Sequence, residues 1–298
     1  MLSICIPVYN FNVVKLVKEL YQQAQSIDEQ IEIVLIDDAS EDKWRIVNQP
    51  DVSKISNYIE LNKNIGRAAI RNLFLMHTKN EYLLFLDCDA IVHQSDFLSK
   101  YIKAIKSYPN QIFCGGRVYN DTPPNRSKKL RWKYGKLIES KSYVERQKQP
   151  NKSFMTNNFV IKRELFEQVK FDERLKDYGH EDTLFGFELK EKGIEIQHID
   201  NPILNGHLET NIIFIENTEK AVNNLKYILK YTNNSHKLIH EITLLKTSKS
   251  VKPIKGIIKG AFFLTKPIIK FFLTKGYVSL FWFNFYKLGT YIQSPNPE

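Results

Sequence analysis

Residues 82–90 of the chain read YLLFLDCDA, in which five apolar residues end in two carboxylates one position apart. An unpaired charge is costly at the edge of a hydrophobic core, so a buried strand does not normally end in this way. Mg²⁺ and Mn²⁺ offset that cost through oxygen ligands, and these ions usually bridge to phosphate oxygens. The pair Asp87 and Asp89 therefore predicts a metal and phosphate site at a strand end, and a plain polar turn is the alternative.

Strand and helix patterns alternate around this stretch. Short apolar and β-branched runs predict strands at residues 3–8, 31–36, 55–60, 82–86, 111–115 and 194–199, with a further apolar run at 154–161. Helical spacing predicts helices at residues 13–25, 66–76, 96–107 and 163–169, within 177–193, and at 217–231. The alternation predicts an α/β fold in which helices flank a mostly parallel sheet and the strand carboxyl ends meet at one edge.

Polar residues stand directly after three of the predicted strands. They are Tyr9 and Asn10 after the first, Asp37 and Asp38 after the second, and residues 87–89 after the fourth. Because ligands of open α/β sheets bind at the carboxyl edge, we expect these groups to converge. At least one of the acids Asp37 and Asp38 can bind a nucleoside through its imide or its sugar hydroxyls, and a turn or helix-cap role is the alternative.

Two predicted helix starts carry further charged residues. Asn64, Arg67 and Arg71 stand at the first, where an anion is favoured, although a solvated basic face has the same pattern. Glu181 and Asp182 open the second. A carboxylate there can act as a general base toward an acceptor hydroxyl, and complementing the helix dipole is the alternative.

Few residues of the chain are suited to soft-metal or disulfide chemistry. The three cysteines, Cys5, Cys88 and Cys114, are scattered without C-x-x-C spacing. This argues against a disulfide framework and a zinc site, and it fits a reducing cytoplasm. His207, in the run NGHL, is either a metal ligand or an ordinary surface histidine.

The charge of the chain is concentrated near its C-terminal end. With 298 residues, 43% of them hydrophobic and 26% charged, the chain is expected to form a folded soluble protein with a substantial core. Residues 242–298 contain nine lysines and one acid, a formal charge of +8 out of +10. Because nucleic-acid binders more often carry their basic face in the folded domain, we expect no nucleic-acid partner.

The sequence predicts a domain over residues 1–235, with a mobile excursion at 120–150, and an appendage over 236–298. No window of the appendage reaches about 18 uncharged apolar residues, so a transmembrane helix is not expected. Its lysines alternate with Phe and Trp, which predicts helices on an anionic membrane surface, with a helical cap or a dimer interface as the alternative. The first residues lack a basic and apolar leader, so we expect no signal peptide.

The motifs, taken together and in this order, resemble the family 2 glycosyltransferases with the GT-A fold. The DCD triplet and the run GHEDTLFG look most like the chondroitin- and hyaluronan-synthase-type members. The resemblance covers residues 2–210 and rests on IPVYN at 6–10, IDDAS at 36–40, NIG and RN within 64–72, LDCD at 86–89 and GHED at 179–182.

The resemblance implies a role for each matched residue. Asp89 would ligate Mn²⁺ or Mg²⁺, with His207 as a further ligand, while Asp182 would be the catalytic base and Glu181 would hold the acceptor. A nucleotide-sugar pocket would be formed by Pro7, Tyr9, Asp38, Asn64, Arg67, Arg71, Asp87 and Cys88.

Residues and resemblance together predict an inverting, metal-dependent glycosyltransferase that moves a sugar from a UDP-sugar to a glycan or lipid-linked acceptor, forming a β-glycosidic bond. The expected setting is cytoplasmic, peripheral on the inner face of the cell membrane, in the synthesis of surface polysaccharide, lipopolysaccharide or glycolipid. A nucleotidyltransferase is one alternative, but such an enzyme would be expected to have a Gly-rich phosphate loop after the first strand, where residues 7–12 read PVYNFN. A non-catalytic membrane-binding scaffold is a second alternative. The presence of Asp87, Asp89 and Asp182 argues against it.

Overall fold

A computed structural model describes residues 1–176 and 178–295 of the chain. Residue 177, at the start of one predicted helical stretch, lies outside the described residues. The same holds for residues 296–298, at the end of the predicted appendage.

The described residues divide into two compact units, of which the first carries the sheets. It comprises Met1–Tyr119, Ser140–Lys176 and Glu181–His207, and the other described residues form the second unit. The strands are β1 (Leu2–Val8), β2 (Ile31–Asp37), β3 (Asn57–Glu60), β4 (Tyr82–Leu86), β5 (Ala90–Ile91), β6 (Ile112–Cys114), β7 (Arg117–Val118), β8 (Asn158–Lys162), β9 (Ile196–His198) and β10 (Ile203–Asn205).

The strands form two sheets with the orders β3-β2-β1-β4-β8-β6-β9 and β5-β10-β7. In the larger sheet, β1 pairs in parallel with β2 and β4, β2 with β3, and β6 with β9, whereas β8 is antiparallel to β4 and β6. The predicted mixed and mostly parallel sheet is therefore confirmed. Its parallel strands place the carboxyl ends of β1, β2 and β4 side by side.

Helices account for most of the remaining chain. A π-helical turn at Gly135–Glu139 and 3₁₀ turns at Arg126–Lys128 and Lys252–Ile254 lie among them. The α-helices are α1 (Val14–Gln25), α2 (Asp42–Val52), α3 (Arg67–His77), α4 (Phe97–Ser107), α5 (Lys129–Tyr134), α6 (Tyr143–Gln147), α7 (Arg163–Gln168), α8 (Glu181–Glu191), α9 (Asn211–Tyr231), α10 (Ser235–Glu241), α11 (Thr243–Ser250), α12 (Lys255–Thr274) and α13 (Leu280–Gln293).

The core of the first unit lies on both faces of the larger sheet, because successive side chains of a strand point to opposite faces. Leu84 and Leu86 of β4 pack in one cluster with residues of α1 and α4. Leu83 and Phe85 pack in the other, with residues of α3, α7 and α8. This double burial explains why β4 reads as an uninterrupted apolar run up to the first acid.

Several elements differ from the sequence predictions. Helix α2 was not predicted, since its residues are mostly polar and include Pro50. The apolar run at 154–161 contributes a strand only from Asn158 onward. Helix α9 begins six residues earlier than predicted, because the side chain of Thr210 caps the backbone N–H of Ile213. The excursion at 120–150 contains α5, the π-helical turn and α6.

The second unit has a small core of its own. Phe214 of α9, Phe262 and Ile269 of α12, and Phe283 and Tyr286 of α13 are buried together. Among the described residues, no helix has both the length and the hydropathy needed to span a membrane.

Candidate active site

The loops after β1 and β2 meet at the carboxyl edge of the larger sheet. The Asp38 N–H donates to the carbonyl oxygen of Val8, and the Asn10 N–H donates to Ser40 Oγ, both at 2.8 Å. Asn10 and Ala39 adopt left-handed backbone conformations, with φ of 50° and 61°, which let each loop turn sharply at its strand end. The predicted meeting of these two loops is therefore confirmed.

The loop after β4 lies against the loop after β1. The Cys88 thiol is hydrogen-bonded to the backbone of Tyr9. Burial, together with the nearby Asp89 and Asp87, raises the pKa of this thiol to about 12, so it is protonated and unreactive at neutral pH. The side chain of Tyr9 is 53% exposed, whereas Pro7 is half-buried within β1. The structure thus leaves the Tyr9 ring open for stacking.

Asp38 fastens the residues before α3 to the end of β2. Its carboxylate accepts backbone N–H bonds from Ile65 at 2.7 Å and Gly66 at 3.1 Å, and Asn64 Nδ2 donates to its carbonyl oxygen at 3.2 Å. Burial raises the pKa of Asp38 in spite of the two backbone donors. The carboxylate of Asp38 therefore stabilises the backbone before α3, and any hydrogen bond to a uracil ring would be additional to these contacts.

A buried guanidinium neutralises the first acid after β4. Arg71 Nη2 donates to Asp87 Oδ1 at 2.7 Å, and Arg71 Nη1 donates to the carbonyl oxygen of Arg67 at 2.9 Å. Arg117 Nη2 donates to Asp87 Oδ2 at 3.3 Å. Burial opposes ionisation of Asp87, but Arg71, Arg67 and Arg117 outweigh it and hold its pKa below the ordinary value. Both oxygens of Asp87 therefore face cations.

Arg67 connects this cluster to the start of α8. Its Nε donates to Glu181 Oε1 at 2.5 Å. Burial would raise the pKa of Glu181, but the charge of Arg67 outweighs it and the pKa is lowered. Arg67 also acts on the pKa values of Asp87, Asp89 and Asp182. The structure therefore brings four predicted site acids around Arg67, whose side chain is 43% exposed.

Asp182 has the protonation behaviour of a general base. Burial and the neighbouring charge of Glu181 raise its pKa to about 6. The Thr183 N–H donates to Asp182 Oδ1 at 2.6 Å and so orients the carboxylate. A carboxylate with a pKa near the working pH is ionised and still basic enough to take a proton. Both acids also lie in the first turn of α8, so they complement the helix dipole as well.

Asp89 and His207 are brought together by the smaller sheet. The Gly206 N–H donates to the carbonyl oxygen of Asp89 at 2.9 Å, and a Cβ on Gly206 would lie 2.6 Å from that oxygen. Glycine therefore allows the close approach that brings His207 beside Asp89. Burial, and then the charge of Asp87, raise the pKa of Asp89, although Arg117 and, to a smaller extent, His207 lower it. Asp89 is thus the less compensated acid of the pair.

The donor set of Asp89 and His207 fits a divalent cation. A carboxylate oxygen and an imidazole nitrogen are ligands that Mn²⁺ accepts, and Mg²⁺ would rely on the carboxylate. Within the described ranges, no group of three or more His, Cys, Asp or Glu side chains is arranged to hold a metal. One or two protein ligands are the usual number where substrate phosphates complete the coordination.

Two residues of this site were missing from the sequence predictions, namely Arg117 and Gly206. Arg117 reaches Asp87 because β7 is the neighbour of β10 in the smaller sheet. The preceding Gly115 and Gly116 were the available signal, since a Cβ on Gly116 would lie 2.4 Å from the guanidinium of Arg146. Paired glycines next to a strand indicate such a close approach, but they do not predict that the next side chain, Arg117, contacts Asp87.

The model of the family "Glycosyl transferase family 2" matches residues 3–170, more than half of the chain. The chain belongs to glycosyl transferase family 2. The match includes the ends of β1, β2 and β4 and the start of α3, so it covers all of the site except the residues from α8 and from the loop after β10.

Two curated relatives of this family 2 chain are also named as glycosyltransferases. It is 26% identical over 199 residues to the uncharacterized glycosyltransferase YfnE of Bacillus subtilis, covering 63% of this chain and 49% of YfnE. It is 31% identical over 132 residues to the dolichyl-phosphate beta-glucosyltransferase ALG5A of Trichomonas vaginalis, covering 40% of this chain and 41% of ALG5A. The chain spans about half or less of the length of these relatives.

Solved structures share the fold at low sequence identity. The mannosyltransferase PcManGT from Pyrobaculum calidifontis, in complex with GDP-Man and Mn²⁺, has a TM-score of 0.56 at 14% identity, covering 98% of this chain and 84% of its own. TarS of S. aureus has a TM-score of 0.52 at 16% identity, covering 84% and 43%. The likeness confirms the predicted GT-A fold class.

Proposed function

We propose that this glycosyltransferase is metal-dependent and inverting, and that it transfers a sugar from a UDP-sugar to a hydroxyl of a glycan or lipid-linked acceptor. The observation that carries the proposal is that the acids around Arg67 differ in their charged partners and in their pKa values. Asp87 is neutralised by arginines, Asp89 is left for a cation, and Asp182 keeps a pKa of about 6. Leaving-group binding and proton removal therefore fall to different carboxylates.

The transfer needs a single displacement at the anomeric carbon. A carboxylate oxygen of Asp182 takes the proton of the acceptor hydroxyl, and the oxygen of that hydroxyl forms the new bond to carbon. The bond between the anomeric carbon and the diphosphate breaks on the opposite side, and the nucleoside diphosphate leaves with the electron pair. One displacement inverts the configuration, so an α-linked donor gives a β-glycoside. Glu181, held by Arg67, would position the acceptor.

Asp89 and His207 would hold the Mn²⁺ or Mg²⁺ ion. When bound, the cation stabilises the negative charge of the leaving diphosphate. Arg67, whose side chain is partly exposed, can add a charge-assisted hydrogen bond to a phosphate oxygen. Buried Arg71 instead keeps Asp87 in place, so the nucleotide contact inferred for Arg71 would be indirect.

The nucleoside would lie over the loops after β1 and β2. The exposed ring of Tyr9 can stack on a base, next to Pro7, while Asp38 and Asn64 border the same edge. Uridine is proposed from the matched motifs, whereas the structural neighbour PcManGT binds GDP-Man. The likeness to chondroitin- and hyaluronan-synthase-type members rests on the DCD and GHEDTLFG runs and stays part of the proposal.

The proposed setting is the cytoplasmic face of the cell membrane, in the synthesis of a surface polysaccharide, lipopolysaccharide or glycolipid. Its support is the lysine-rich and aromatic C-terminal region. A lipid-linked acceptor would be met at such a surface.

A donor screen tests the proposed function. UDP- and GDP-sugars are titrated by calorimetry with Mn²⁺, with Mg²⁺ and with EDTA, and the product anomer is determined by NMR. We expect cation-dependent binding of a UDP-sugar, loss of the cation dependence in Asp89→Ala, weaker dependence in His207→Ala, and a β-linked product. Cation-independent binding in the wild type, unchanged affinity in Asp89→Ala, or an α-linked product from an α-linked donor would contradict the proposal.

A further inference from the structure

An apolar stripe runs along the exposed side of α12. We define it as Ile257, Leu264, Ile268, Phe271 and Phe272, whose spacing repeats at helical intervals. Ile257 is 73% exposed and Leu264 is 72% exposed, and the other three are also counted among the exposed large hydrophobic side chains. In the described part of the chain, no charged residue interrupts this side of the helix. Such a continuous exposed apolar surface indicates a binding surface.

The opposite side of α12 already has its partners. Phe262 and Ile269 are buried in the core of the second unit. Lys266 lies over the ring of Phe262 at 5.9 Å, and Lys270 forms an ion pair with Glu219 at 3.2 Å. The helix is therefore anchored on one side and leaves its apolar stripe free on the other.

Aromatic side chains extend the stripe past the end of α12. Phe272 makes an edge contact with Tyr277, with ring centroids 5.7 Å apart, and Phe281 makes one with Trp282 at 5.3 Å. Tyr277, Phe281 and Trp282 are exposed. Tyr and Trp are the residues that favour the boundary between lipid and water.

The charges around the stripe favour an anionic partner. Lys252, Lys255 and Lys259 lie exposed at its N-terminal end, and Lys275 lies exposed at its C-terminal end. Residues 242–297 contain no Asp, Glu or Arg. A second copy of this chain would bring like charges together, whereas an anionic lipid surface attracts them at about a fivefold gain in affinity per lysine.

We propose that the apolar stripe binds in the interface of an anionic lipid bilayer, with α12 lying parallel to the membrane plane. Its side chains would enter the boundary between headgroups and acyl chains, to a depth of about 5–10 Å. Lys252 and Lys275, exposed at the two ends of the stripe, would contact lipid phosphates. This proposal about membrane binding does not depend on the sugar donor or on the reaction. If it is wrong, the proposed glycosyl transfer is unaffected.

Vesicle binding by the whole chain tests the proposal. The protein is sedimented with phosphatidylcholine vesicles that contain phosphatidylglycerol, and with phosphatidylcholine alone. We expect binding to the anionic vesicles, at least about tenfold weaker in the double variant Leu264→Gln, Ile268→Gln. The double variant Lys252→Gln, Lys275→Gln should lose roughly 25-fold, and high salt should weaken wild-type binding.

Matched control variants distinguish binding through the apolar stripe from nonspecific binding through any exposed apolar or basic side chain. Met76→Gln removes an equally exposed apolar side chain of the first unit, and Lys103→Gln with Lys152→Gln removes two exposed lysines there. Both should leave binding unchanged. Brominated lipid should quench Trp fluorescence less in Trp282→Phe than in the wild type. Unchanged binding of the Leu264→Gln, Ile268→Gln variant, equal binding to neutral vesicles, or a dimer that dissociates in that variant would overturn the proposal.

Discussion

Asp182→Asn is expected to abolish transfer and, at the same time, to stabilise the fold at neutral pH. Removing a general base lowers kcat by about 10²- to 10⁴-fold. The amide oxygen can keep the hydrogen bond from the Thr183 N–H, which spans 2.6 Å in the wild type. Affinity for UDP should be retained, since Asp182 is assigned to the acceptor side.

The size of the stabilisation follows from the pKa of Asp182. A folded-state value of about 6 against an ordinary 3.8 means that ionising this carboxyl costs about 3 kcal/mol more in the folded protein than in the unfolded chain. Between these values the folded state binds the proton more tightly, so this residue makes stability fall as pH rises through the window. The cost is complete above about pH 7 and absent below about pH 4, and Asp182→Asn removes it.

Urea unfolding of wild type and variant, at pH values below and above this window, measures the effect. The variant should gain up to about 3 kcal/mol over the wild type at high pH and little at low pH. Glu181→Gln is the matched control, because the pKa of Glu181 is lowered and its loss should destabilise the protein at neutral pH. A general effect of substitution on α8 would not change the free energy of unfolding in opposite directions at two adjacent positions. A variant that keeps near-normal kcat, or a gain in stability independent of pH, would contradict the role assigned to Asp182.

Two further substitutions test the packing of the site. Arg71→Met should destabilise the protein by about 3–5 kcal/mol, because it leaves Asp87 buried without its closest cation, and adding Asp87→Asn should recover part of that loss in urea unfolding. If the double variant is no more stable than Arg71→Met, loss of the Arg71–Asp87 ion pair is not the cause of the destabilisation. Gly206→Ala should weaken Mn²⁺-dependent donor binding in calorimetry, since its Cβ would lie 2.6 Å from the carbonyl oxygen of Asp89, whereas Gly260→Ala, with nothing within 4 Å, should leave it unchanged.

Much of the fold was predictable from local patterns. The apolar run of β4 is visible in the sequence because both faces of the strand are buried, and the helical spacing of α1, α3 and α4 follows from one buried face each. Helix α2 escaped prediction because tertiary packing holds a polar segment helical in spite of Pro50. The smaller sheet escaped because strands of two or three residues carry too little periodicity to be recognised.

The sequence alone establishes which chemical groups follow the strand ends, since carboxylates placed after β2 and β4 must lie at the carboxyl edge of a parallel sheet. What each acid can do depends on tertiary contacts. Asp87 is ion-paired with Arg71 and with Arg117 of β7, whereas Asp89 has no ion pair among the described residues. The pKa of Asp182 depends on burial and on the adjacent Glu181, which both raise it, and on Arg67, 115 positions away in the chain, which lowers it. Desolvation and charge pairing arise from contacts between remote segments, and no local pattern encodes them.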